Sequence, residues 1–302
     1  MIFLGFISLN KGASSSIRNN QIISELKRKG CKITEIDFYY PFQTKIKIIQ
    51  IFSLIGLFIK SFFIILINFK RELTISTNPK FLVVIPCILR KRFTLYLGDP
   101  FVGDVSKNDS YFYTFLWKYS KNLIKELVVF SPFLYQRFKY EGTNAKLKFI
   151  QRSPIHNLPI MSGEGILYLG DFNSIDRNFE PVITVLNELN IKLDIFGVGN
   201  LEIISKKTNN IKLYARRSFS EIFNIIPNYK LMLIILNRSG LQVPGKLYDF
   251  ADAPFKVLIL YEDYLDITLL PQPANYIYCK NVASEIKIVV SKLLQKLYIA
   301  TK

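Results

Sequence analysis

The sequence predicts an α/β fold in two similar halves with a cleft between them, and three observations carry that prediction. Short apolar runs alternate with helical patterns along the chain, which is the rhythm of a parallel sheet covered by helices on both faces. The stretch QRSPIHNLPIMSGEG, residues 151–165, is dense in Pro, Gly, Ser and Asn and interrupts that rhythm once. A length of 302 residues suits two domains of ordinary size rather than one. The expected domains are 1–155 and 156–302, and a cleft between two α/β domains is a natural place for a ligand.

The elements follow in order. An apolar run from Ile2 to Phe6 reads as a strand and leads into a polar loop, Asn10 to Ser16. From Ile17 to Lys29 the residues Ile17, Ile22, Ile23 and Leu26 recur at helical spacing. Gly30 stops the helix, and Lys32 to Ile36 returns as a strand. Residues 46–70, IKIIQIFSLIGLFIKSFFIILINFK, are long enough to cross a bilayer, with Lys60 in the middle. The competing reading is one or two helices packed on a sheet with one face against lipid. Lys45, Lys47, Lys70 and Arg71 flank the run and suit an anionic surface, so a membrane-touching helix of a soluble domain is expected here. Strands are expected at Leu73–Ile75, Phe93–Leu97 and Leu127–Phe130, with a helix over Tyr111–Lys125. After the linker, strands are expected at Gly165–Leu169, Leu193–Phe196, Ile211–Leu213, Leu231–Leu236 and Val257–Leu260. Helices are expected at Pro181–Asn190 and Val282–Tyr298.

Composition narrows the function. Forty lysines and arginines against twenty-three acids give a formal charge of +17, which implies an anionic partner. The basic residues are spread along the chain rather than gathered on one helix, and no zinc-finger, RRM or KH signature occurs, so no nucleic acid is expected. Three distant cysteines and a single histidine, His156, exclude a Cys/His metal cluster and point to a reducing compartment. The first residues lack the basic start and cleavage site of a signal peptide.

Residues 240–249, GLQVPGKLYD, nearly spell the phosphate-binding pattern G-x-x-x-x-G-K-[ST]. Leu247 stands where a hydroxyl should hold Mg²⁺, and the motif falls late in its domain rather than after its first strand. A nucleotide triphosphatase is therefore rejected. What remains is Pro244, Gly245 and Lys246 opening a helix whose free N–H groups and ammonium suit an anion, with Asp249 placed to accept hydrogen bonds from a ribose.

At QVPGKLYDFADAPFKVLIL the chain resembles the donor segment of GT-B fold glycosyltransferases, particularly the family 4-like group. Three further stretches fall in the family's order. ILYLGDFNSIDRN resembles its first C-domain strand and loop, with Arg177 near the basic residue that meets the donor diphosphate. KLDIFGVGN resembles the second strand, with Gly197 and Gly199 in its turn. NKGASSSIRNNQIISELKRKGCKITEID resembles the N-terminal loop and helix, with Gly12 in the tight turn and Arg18 at the helix start. The resemblance implies two Rossmann-like domains, and transfer of a sugar from a nucleotide diphosphate sugar to a lipid-linked or polysaccharide acceptor. It implies no cofactor, since the nucleotide sugar is the substrate, and the expected reaction is retaining. No D-x-D pair follows an apolar strand, so no metal is expected either.

The family's paired acids would fall at 241 and 249, where this chain has Leu241 and Asp249. An inactive accessory homologue is the first alternative, and a basic nucleic-acid-binding protein the second. The donor diphosphate is expected to meet Lys246, Arg177 and one of Arg216 or Arg217. In LYLGDPFVGD, Asp99 or Asp104 would act as a general base toward the acceptor hydroxyl or hydrogen-bond it. The expected place is the cytoplasmic face of the cell membrane, held through residues 45–71.

Overall fold

A computed structural model describes residues 1–5, 14–37, 46–76, 80–97, 111–172, 177–199, 209–238 and 240–299. The chain divides into two compact units, Met1–Gln151 and Arg152–Lys302. Reading the sequence placed the start of the second unit at residue 156. Arg152 and Ile155 belong to it because both bond to Asp249.

The first unit holds a six-stranded sheet of β1 (Ile2–Gly5), β2 (Thr34–Asp37), β3 (Leu73–Ser76), β4 (Phe93–Leu97), β5 (Ile124–Val129) and β6 (Lys146–Phe149). Their order across the sheet is β2-β1-β3-β4-β5-β6, and every pairing is parallel. The described helices are α1 (Ser14–Arg28), α2 (Lys47–Ile67), α3 (Val84–Ile88), α4 (Tyr111–Ser120) and α5 (Pro132–Glu141). The central strands β1 and β3 are buried along their whole length, as a sheet covered on both faces requires. The expected helix over Tyr111–Lys125 stops at Ser120. A turn closed by Leu123 N–H to Ser120 C=O, 2.8 Å, comes first, and β-branched Ile124 then begins β5. Helix α5 and strand β6 were not foreseen. Their polar and half-exposed residues carry little periodic apolar signal, and Ser131 capping Leu134 N–H with Pro132 behind it marks α5 better.

Two helices of this unit end in the same way with different residues. At the end of α1, Gly30 N–H bonds Lys27 C=O and Cys31 N–H bonds Leu26 C=O, with Gly30 at φ +81°. At the end of α3, Arg90 N–H bonds Cys87 C=O and Lys91 N–H bonds Pro86 C=O, with Arg90 at φ +47°. Glycine is at home in that left-handed position, whereas a side chain there costs about 1–2 kcal/mol.

The second unit holds β7 (Ile166–Leu169), α6 (Glu180–Glu188), β8 (Leu193–Phe196), β9 (Ile211–Tyr214), α7 (Phe219–Ile225), β10 (Leu231–Ile235), α8 (Lys246–Asp249), β11 (Val257–Tyr261), β12 (Tyr276–Lys280) and α9 (Ala283–Ile299). Its strands are all parallel in the order β9-β8-β7-β10-β11-β12. Counted from β7 as the first, this is 3-2-1-4-5-6, the order of a doubly wound Rossmann sheet. Val182, Leu186, Leu233, Ile286 and Val290 are among the buried residues of its core. Both units are thus Rossmann-like α/β domains. The helix expected over KLYDFADAP is shorter, covering Lys246–Asp249 alone.

Candidate functional site

A doubly wound sheet binds ligands beyond the carboxyl ends of its strands, where the strand order reverses. In the second unit that point lies between β7 and β10. The chain leaves β7 at Gly170, whose φ of +138° no side chain adopts comfortably. A β-carbon there would lie 3.5 Å from the Lys246 ammonium nitrogen. The lysine arrives from the loop after β10, so the two halves of the sheet meet at this spot.

Around it stand two guanidinium groups. Arg177 Nη1 donates to the Asp171 carbonyl oxygen and to the Tyr168 hydroxyl at 3.1 Å. Tyr168 in turn donates to the same Asp171 carbonyl at 3.0 Å. Arg216 pairs with the Asp171 carboxylate. Burial lowers the Lys246 pKa, and the nearby Arg177 and Arg216 charges add to that effect against Asp249 and Asp171. Three cations therefore gather near Gly170–Asp171, offset in part by the Asp171 and Asp249 carboxylates, and a bound anion would lower their mutual repulsion further.

The loop is held by its neighbours. Gly170 N–H bonds Phe196 C=O at 2.9 Å and Phe172 N–H bonds Val198 C=O at 3.1 Å. A β-carbon on Gly197 would overlap the Gly170 carbonyl oxygen, so Gly197 supports the loop as a spacer with its side buried. Arg217 points elsewhere: it pairs with Glu221 at 2.9 Å, inside the capping box that starts α7. Hydrogen bonds from Ser218 and Arg217 hold Glu221 down to about 2.

The Pro244-Gly245-Lys246 turn differs in detail from the expected open helix start. Leu247 N–H bonds Pro244 C=O, and Tyr248 and Asp249 N–H bond Gly245 C=O. Those three donors are used within the turn, so positive charge here comes chiefly from the Lys246 side chain. Asp249 is buried and faces Arg152 Nε at 2.7 Å. Gly245 lets that arginine pass, since a β-carbon would sit 2.7 Å from Arg152 Nη1. Sequence reasoning missed Arg152, Asp171 and Tyr168, although Gly170–Asp171 stands directly after the first strand of its unit. His156 lies at the surface, 3.6 Å from Asp252. Gly12, Asp99 and Asp104 lie outside the described residues, and of Arg18 only the helical backbone is described. Among the described residues no group of three or more His, Cys, Asp or Glu is placed to hold a metal.

No family profile and no curated protein sequence matches the chain. Solved structures do. The sucrose-phosphate synthase of Thermosynechococcus elongatus matches with a TM-score of 0.68 at 11% identity, over 98% of this chain and 90% of its own. The UDP co-structure of S. aureus MnaA matches with a TM-score of 0.60 at 10% identity, over 98% of this chain and 89% of its own. The lipopolysaccharide outer core galactosyltransferase WaaB matches with a TM-score of 0.55 at 13% identity, over 100% of this chain and 91% of its own. At such identities the likeness is one of fold, and it extends over both units.

Proposed function

We propose, for a chain that has the GT-B fold, that it is a glycosyltransferase moving a sugar from a nucleotide diphosphate sugar to a lipid-linked or polysaccharide acceptor. The observation that carries this is the meeting of Lys246, Arg177 and Arg216 at the switch point of the second sheet. Sugar transfer leaves a nucleoside diphosphate with added negative charge while the sugar passes through an oxocarbenium-like state. Fixed cations where that charge develops are the main contribution a protein can make. Lys246 would neutralise the diphosphate nearest Gly170, whose missing side chain leaves room for it. Arg177 is oriented by Tyr168, and Arg216 would exchange Asp171 for phosphate. UDP in MnaA, which shares the fold, supports a nucleotide as the ligand.

The reaction needs neither metal nor cofactor in this reading and retains configuration, with Asp99 or Asp104 positioning the acceptor. In the same reading helix α2 faces lipid and the enzyme works on the cytoplasmic side of the cell membrane beside a lipid-linked acceptor. The exposed apolar residues of α2 support contact with lipid. A second reading, an accessory subunit without activity, draws on Leu241 and on Asp249 being engaged by Arg152.

The test is thermal unfolding with UDP-, GDP-, CMP- and dTDP-sugars, on wild type and Lys246→Ala. One nucleotide is expected to raise the melting point of wild type. Loss of a charged hydrogen-bond partner, about 1.5–3 kcal/mol, should weaken that binding by about 10–100-fold in the variant. If no nucleotide stabilises wild type at millimolar concentration, the transferase reading falls.

A further inference from the structure

Among the described residues three non-glycines have positive φ: Arg90, Asn157 and Asn190. Asparagine tolerates that region, whereas Arg90 stands where glycine closes α1, so something other than backbone comfort accounts for an arginine here. Its side chain lines a groove of about 490 Å³ together with Phe115, Lys118, Tyr119, Asn122 and Leu123. Phe115 is 66% exposed and stacks on Tyr119 at 6.3 Å. The groove has apolar walls and two cations at its rim.

Its place in the fold separates it from any substrate site on the sheet. Arg90 precedes β4 and Leu123 precedes β5, so the groove lies at the amino ends of the strands. Ligands of parallel sheets sit beyond the opposite, carboxyl ends. The same edge receives the end of α2, because Lys91 donates to the Phe69 carbonyl and lies over the Phe69 ring at 4.6 Å. Helix α2 is apolar on its outer side as well as its inner one, with Phe52 69% and Ile55 50% exposed. Residues 46–71, 84–97 and 111–125 together hold ten lysines and arginines and no aspartate or glutamate.

We infer that this groove holds the phosphate headgroup of an anionic membrane phospholipid, with Phe115 and Tyr119 against the first acyl carbons. The inference rests on the reading that α2 faces lipid. Arg90 and Lys118 supply the charge, and the exposed apolar side chains of Phe115 in the groove and of Phe52 and Ile55 on α2 select a lipid over a soluble phosphate ester.

The full chain is sedimented with vesicles of phosphatidylcholine alone and of phosphatidylcholine mixed with phosphatidylglycerol. Wild type is expected to bind the anionic vesicles more tightly. Arg90→Gly should lose about fivefold on anionic vesicles and nothing on neutral ones. It should also melt no lower than wild type, because glycine suits the left-handed turn. Adding Lys118→Gln brings the loss to about 25-fold. Removing two exposed cations elsewhere in the unit, Lys139→Gln with Lys146→Gln, should change little. Equal losses in both pairs would overturn the groove in favour of diffuse surface charge. Equal binding of wild type to both vesicle types would overturn the headgroup site and leave the lipid-facing helix standing. Binding to neither overturns both. Nucleotide-induced stabilisation of Arg90→Gly reads the donor site separately, so the transferase reading and the lipid groove stand or fall apart.

Discussion

The two units share a plan of six parallel strands with helices, yet they place their unusual residues in opposite positions. The second unit brings charge inward: Lys246, the Arg152–Asp249 pair and the Tyr168–Arg177 contact are all drawn toward the carboxyl end of its sheet. The first unit puts apolar surface outward. Helix α2 is long and apolar enough to cross a membrane, with a mean hydropathy of 2.3 and 11% of that stretch buried. Only Ser61 and Ile65 of α2 are fully covered. Buried charge and exposed hydrocarbon are both unfavourable for a lone folded chain. On the proposed function, a donor diphosphate would answer the first and lipid the second.

Variants can break this contrast, and the largest effect is expected inside the second unit. Arg152 and Asp249 are 10% and 11% exposed at their side chains. Removing one partner, as in Arg152→Ala, leaves a buried charge and should cost about 3–5 kcal/mol in urea unfolding. An apolar replacement of both, Arg152→Met with Asp249→Leu, should recover much of that loss. If Arg152→Ala unfolds like wild type, the pair is not buried as described.

A core truncation sharpens the same point. Leu186→Ala should destabilise by about 2–5 kcal/mol. Phe52→Ser with Ile55→Ser on α2 should stay within about 0.5 kcal/mol of wild type for each change, because their side chains face outward. The same double variant should release the protein from vesicles. Strong destabilisation without a change in vesicle binding would show α2 to be a packed helix after all.

The smallest effect has a defined sign. Lys246 has its folded pKa lowered below the ordinary lysine value, so the unfolded chain binds the proton more tightly. Its contribution is therefore unfavourable below the folded pKa and is relieved as pH rises from there toward the unfolded value. Lys246→Met should melt higher than wild type at neutral pH without nucleotide, and the gap should narrow as pH rises toward about 10.5. A variant that melts lower at every pH would mean that Lys246 stabilises the empty site.

Much of the fold was legible because it depends on local pattern. Strands such as Phe93–Leu97 and Leu193–Phe196 are short apolar runs, and they fall where those runs fall. Lys246 was legible from a glycine-lysine pair after a strand, and Arg177 from the first strand-to-helix loop of its half. The partners of these residues were not. Asp171 meets Arg216 across 45 residues, and no local periodicity encodes such a distance. Arg152 lay in a segment whose Pro and Ser content suggested only a linker.

The sequence by itself determined the α/β class, the two-part division, the lysine that follows Pro244 and Gly245, and the apolar stretch ending in Lys70 and Arg71. These follow from composition and from periods of two and 3.6 residues, which a chain carries wherever it goes. The tertiary structure alone decided that Arg216 rather than Arg217 joins Lys246, that Asp249 faces Arg152, and that Arg90 meets Phe115 and Lys118 in one groove. Those pairings depend on strand order and on which residues leave adjacent strands at the same edge. That is a property of the assembled sheet, which no single segment of the chain contains.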